Sequence, residues 1–122
     1  MALTAANFES ALMVHKIVQE SAAGATASVD VTGEAGTLRA INISSAASQV
    51  NYVKITLTET SVTVGTTPPQ IMIKVANAAS SRWVIPAGVA FTKLTVWAVQ
   101  AATDSSTTAP SGGNVTVTFV TT

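Results

Sequence analysis

From residue 28 onward the chain is a succession of short runs in which β-branched or aromatic residues alternate with Thr, Ser and Lys. The clearest run is 50–60, where Val53, Ile55 and Leu57 fall on one face and Lys54, Thr56 and Thr58 on the other. A period of two built from β-branched residues is the pattern of a half-buried strand, because successive side chains leave opposite faces of the pleat. The same alternation predicts strands over 28–32, 37–43, 71–75, 81–85, 93–99 and 115–121. Between them lie turn and loop signals: Gly33 to Gly36, small residues over 44–48, Gly65-Thr66-Thr67-Pro68-Pro69, and residues 76–80. Ala87-Gly88 and a long Ser/Thr/Ala/Pro/Gly stretch over 101–113 follow. Proline has no amide hydrogen to give to a ladder, so pairing is expected to stop at Pro68-Pro69 and again at Pro86.

Seven or eight short strands at close intervals predict an all-β chain, an antiparallel β-sandwich or jelly roll. A parallel α/β fold needs helical segments between strands, and no helical period follows residue 27. The first twenty-five residues differ. Phe8, Leu12, Met13 and Ile17 fall at helical spacing, with Asn7 placed as an N-cap and Glu9 just after it. The β-branched Val14, Ile17 and Val18 favour an extended arm instead, and both readings stand. Residues 21–27 are small and contain Gly24, as a linker would. The division expected is therefore a docking segment over 1–25 and a sandwich domain over 26–122, with Phe8, Leu12, Met13 and Ile17 as the docking residues.

One predicted strand is apolar on both faces. Over 93–99, Leu94, Val96 and Ala98 form the core face, which turns Trp97 and Val99 the other way. Either a loop or the N-terminal arm covers Trp97, or Trp97 and Val99 form a self-association seam, since aromatics are enriched at interfaces.

Composition sharpens the picture. The 122 residues are 48% hydrophobic but only 10% charged, against about 25% charged in an average globular domain. Thr, Ser, Ala and Gly stand where Lys and Glu are usual, and six basic residues balance six acidic ones. A surface without charge does little to resist association. Lys16, Arg39, Lys54, Lys74, Arg82 and Lys93 are dispersed, whereas nucleic-acid binding requires a basic stripe to displace counterions from phosphates. Without cysteine there are no disulfides or thiolate metal ligands. Met1-Ala2-Leu3-Thr4 is not a basic signal-peptide start, and the apolar run 11–18 is interrupted by His15 and Lys16, so synthesis in a cytoplasm and no membrane partner are expected.

Candidate chemistry is sparse. His15 is the single histidine and could formally join Asp104 and a serine in a triad, but a lone histidine is far more commonly a surface or packing residue. Asp30, Glu34, Glu59 and Asp104 are distant in sequence, zinc would need several His or Cys ligands, and no glycine cluster has the spacing of a phosphate loop. No catalytic residue, metal or cofactor is expected. A sugar site would have to draw on Tyr52, Trp83 and Trp97.

A resemblance rests on the turns. Thr63-Val64-Gly65-Thr66-Thr67-Pro68-Pro69 follows a strand containing Tyr52-Val53-Lys54, and Ile85-Pro86-Ala87-Gly88-Val89-Ala90-Phe91 comes next. The Gly112-Gly113-Asn114 turn then leads into the final Thr/Val strand. This order, over roughly the last two-thirds of the chain, resembles small virion-associated β-sandwich proteins of tailed bacteriophages. The resemblance implies a capsid decoration or cement protein: a homo-oligomer, trimer or dimer, that docks on the major capsid protein. Other virion roles (neck, tail or fibre attachment) and a carbohydrate- or receptor-binding module are the alternatives.

Overall fold

The computed structural model describes residues 15–122. Seven strands form in chain order: β1 (Lys16–Ala23), β2 (Gly36–Ser45), β3 (Asn51–Thr56), β4 (Ile71–Val75), β5 (Ser80–Phe91), β6 (Thr95–Val99) and β7 (Val115–Thr121). They make a four-stranded sheet in the order β1-β7-β2-β5 and a three-stranded sheet in the order β4-β3-β6, every pairing antiparallel. No helix occurs among the described residues. The expected antiparallel β-sandwich is the fold observed.

The core follows from the period-two pattern. Val53 and Ile55 of β3, Val96 and Ala98 of β6 and Ile73 and Val75 of β4 face Leu38, Ile41 and Ile43 of β2 and Val115, Val117 and Phe119 of β7. All are buried. Each large apolar side chain so buried contributes about 1.5–3 kcal/mol relative to exposure, and no charged residue belongs to this cluster.

Three expectations require correction. Residues 16–23, on the arm side of the expected boundary at 25, are extended and pair with β7 as an edge strand of the four-stranded sheet, Ile17 opposite Val120 and Val18 opposite Phe119. The β-branched residues there are satisfied by ladder partners about a hundred positions away, which no local pattern reveals. Residues 28–32 form no strand. Ser28 alone bridges to β6, exchanging two backbone hydrogen bonds with Val96 at 2.8 and 3.1 Å. The amide of Val31 then donates to Leu94 O at 2.8 Å, and the amide of Ala98 donates to Gly24 O at 2.9 Å. Residues 24–32 are thus a strap along the open edge of β6.

The third correction is β5, which does not end at Pro86 but runs on to Phe91. β5 is an edge strand, where a missing amide hydrogen costs no ladder bond. Pairing jumps from Ala40–Val84 to Leu38–Val89, so Ile85-Pro86-Ala87-Gly88 bulges out opposite the single residue Arg39. Gly88 sits in this bulge at φ +70°, and a Cβ there would collide with Thr37 Cγ2 and lie 3.0 Å from Arg39 Nη1. Only glycine meets both demands.

Candidate functional site

The antiparallel register that buries one face of the four-stranded sheet orders the other. Ile17 lies opposite Val120, Val120 opposite Ala40, and Ala40 opposite Val84, which draws one apolar row across all four strands. Ile17 is 72% exposed and Val84 61% exposed, at the two ends of the row. The next row is polar: Gln19, Thr118, Asn42 and Arg82, with Gln19 Nε2 donating to Thr118 Oγ1 at 3.1 Å. Beyond it lie Thr116, Ser44 and Ser80. On the other side of the apolar row, His15, Arg39 and Pro86 border an open depression of about 510 Å³ floored by Ala40, Val84 and Val120. This face combines unburied aliphatic groups with hydroxyls, amides and two guanidinium groups, an arrangement suited to contact with another macromolecule.

Ile17 is therefore the one expected docking residue that the structure places on an exposed face. Phe8, Leu12 and Met13 lie outside the described residues. Ile17 is legible in the sequence, but the row that continues it through Val120, Ala40 and Val84 exists only in the register.

The outer face of the three-stranded sheet is organised differently, and here the expectation for Trp97 and Val99 is corrected. Trp97 is 1% exposed and Val99 is fully buried, so neither is a surface available for self-association. Trp97 lies opposite Lys54, and Val99 opposite Tyr52. The chain from 100 to 110 closes over them. Lys54 Nζ donates to Thr103 O at 2.6 Å, the amide of Gln100 donates to Thr108 O at 3.0 Å, and Gln100 Nε2 donates to Ala109 O at 2.7 Å. The Thr63–Thr67 turn braces this cover: the amides of Thr66 and Thr67 donate to Thr63 O at 3.0 and 2.9 Å. Gly65, at φ +91°, approaches Thr107 so closely that a Cβ would stand 2.6 Å from its methyl carbon. The turn motif that carried the family resemblance is thus a packing device for the loop above Trp97.

Burial of Lys54 lowers its pKa from the usual 10.5, and the Asp104 carboxylate pulls in the opposite direction. Between the lowered value and 10.5 the unfolded chain holds a proton that the folded chain has released, so this group makes stability rise with pH across that window. Subtracting the Lys54→Met unfolding free energy from that of the wild type isolates the effect. The difference is expected to climb through the alkaline range and level off above 10.5. A difference that stays flat would show that burial does not shift this ammonium.

No other chemistry converges. His15 lies on the outer face of the four-stranded sheet, while Asp104 lies in the cover of the opposite sheet, so the formal triad is not assembled. Among the described residues, no three of His, Asp or Glu come together. Trp97 lies under the cover and Tyr52, opposite Val99, is half-buried, whereas Trp83 stands half-exposed on β5, its Nε1 donating to Ser81 Oγ at 2.9 Å. The three aromatics share no surface. Among the described residues, no helix is long and apolar enough to cross a membrane.

The class that fold and site define is a β-sandwich whose four-stranded sheet turns a striped apolar and hydroxyl face outward. No protein-family model matches the chain, and no curated protein matches it. Among solved structures, a chain from the Bacillus endospore appendages, described as disulfide-linked pili, is 18% identical with a TM-score of 0.36, covering 88% of this chain and 84% of that one. The coat protein of Tobacco streak virus is 7% identical with a TM-score of 0.37, covering 88% and 86% of the two chains.

Proposed function

We propose that this chain is a non-enzymatic structural protein of a tailed-phage virion, a capsid decoration (cement) protein that binds the outer shell and stabilises contacts between capsomers. The observation that carries this reading is the apolar row from Ile17 to Val84, flanked by hydroxyls, amides and the guanidinium groups of Arg39 and Arg82. Such a face gains by being covered, because apolar area removed from water is stabilising at about 25 cal/mol per Å². Few Lys or Glu side chains would have to be desolvated in the process. The turn motifs supply the phage context, and a rigid sandwich repeated many times on a shell gains avidity from individually weak contacts. The partner is the major capsid protein, and the site of action is the virion.

The test is composition of particles purified from cells that express the chain from its own locus. A decoration protein is present at a copy number comparable to that of the shell protein. A handful of copies per particle would instead indicate a neck, tail or fibre-attachment part, and absence from particles would sink the virion reading. The double variant Ile17→Glu, Val84→Asp is expected to fold normally and to be lost from the particles, since both side chains are exposed.

A further inference from the structure

The two sides of the sandwich are protected unequally. On one side the strap 24–32 occupies the edge of β6, and β1 touches β6 across the core. On the other side β4 and β5 are both unpaired edges, and between them lies an apolar groove of about 200 Å³ lined by Ile71, Met72, Ile73, Trp83, Val84 and Ile85. Met72, Trp83 and Val84 are 46%, 52% and 61% exposed. Paired backbone and buried aliphatic groups are the usual state of such an edge, and an open one is a template for another strand.

We infer that this groove takes residues 8–12 of a second copy of the chain as an added strand, antiparallel to β4. The inference rests on the structural-subunit reading above and names the contact by which subunits join. Charge and pattern select the register. Glu9 is the single charged side chain of residues 1–14, and Lys74 on β4 is exposed with no acidic partner among the described residues. With Glu9 opposite Lys74, antiparallel pairing sets Ala11 opposite Met72, Ser10 opposite Ile73, and Phe8 and Leu12 opposite Val75 and Ile71. Phe8 and Leu12 then fall on the face that points into the groove, because Ile73 and Val75 face the core.

Chain length selects a second copy over the chain's own groove. From residue 12 to Lys16, where β1 begins, four residues span at most roughly 14 Å. β1 and β5 are opposite edges of the four-stranded sheet, three spacings or roughly 14 Å apart, and β4 lies in the other sheet roughly 10 Å away. The direct line from β1 to its own β4 is therefore roughly 17 Å, beyond that reach. In a head-to-tail contact the β1 edge of one copy abuts the β4–β5 edge of the next, and the connecting residues need only cross the seam.

The chain has no cysteine, so two full-length variants report the contact directly. Ala11→Cys and Met72→Cys chains, mixed under mild oxidation, are expected to form a mixed disulfide dimer well above the homodimer that either forms alone, since directly opposed strand residues lie within bridging distance. Light scattering of the wild type is expected to show mass rising with concentration. Glu9→Lys is expected to return it to monomer, and Lys74→Glu added to Glu9→Lys to restore association. Three results would each overturn the inference: no excess of mixed disulfide, closure of the bridge within one chain carrying both cysteines, or a charge swap that fails to restore the oligomer. All are read on purified protein without particles, so strand exchange and shell binding succeed or fail separately.

Discussion

Phe119→Ala is expected to lower the free energy of unfolding by about 3–5 kcal/mol. Phe119 is fully buried on β7, an interior strand of the four-stranded sheet, between Val18 on β1 and Ile41 on β2. Ladders on both sides, to β1 and to β2, hold the residues around it, so the walls cannot close over the vacated ring. The loss is the transfer energy of the ring plus the contacts its neighbours forfeit. A domain of this size is stable by only about 5–15 kcal/mol, so the variant should unfold at a much lower urea midpoint with an unchanged slope. Midpoints within error of the wild type would mean that this core is not packed as described. The apolar row outside behaves oppositely: Val84→Ala removes an exposed side chain and is expected to leave the urea midpoint nearly unchanged.

Phe119 also marks what the sequence made legible. Its alternation with Val117 and Val115 identified both a strand, with the bounds observed, and its inward face. Residues 71–75 were equally plain. These are strands whose own residues decide their state. Pro86 misled because proline's effect on a strand depends on whether a partner needs its amide hydrogen, and that is a fact about sheet order. Residues 28–32 misled because two valines in alternation satisfy the pattern, while the chain there keeps only one bridge and turns at Asp30, which adopts φ +53°. The candidate site was legible only at Ile17. Val120, Ala40 and Val84 sit in three separate strands and become a row with Ile17 only through pairings of residues far apart in sequence, Ile17 with Val120, Val120 with Ala40 and Ala40 with Val84. The groove is less legible still, since it depends on which edges of two sheets are left without a strand.

Trp97 is the sharper case, and replacing it tests the reading of both faces at once. Trp97→Ala is expected to cost about 3–5 kcal/mol while leaving the native mass of the protein unchanged. A seam residue would do the reverse: its removal would change the mass and leave the fold intact. The expected cost follows from its position. Strand pairing sets the indole beside Lys54 on the outer face of the three-stranded sheet, and residues 100–110 seal it there through Thr103, Thr108 and Ala109. Without the ring this loop lies over a void and over a buried ammonium whose apolar neighbour is gone. The cover should then open ahead of the sheets, so that amide exchange and protease cleavage concentrate in 100–110. The variant retains one tryptophan, Trp83, which is half-exposed at the groove. Its fluorescence therefore reports the groove alone, and should shift to shorter wavelength as the protein is concentrated if the groove fills with a strand from a second copy. Loss of oligomer in Trp97→Ala with the sheets still folded would return the seam to the face of β6; a destabilised variant of unaltered mass assigns Trp97 to the packing of its own loop and leaves association to the β4–β5 edge.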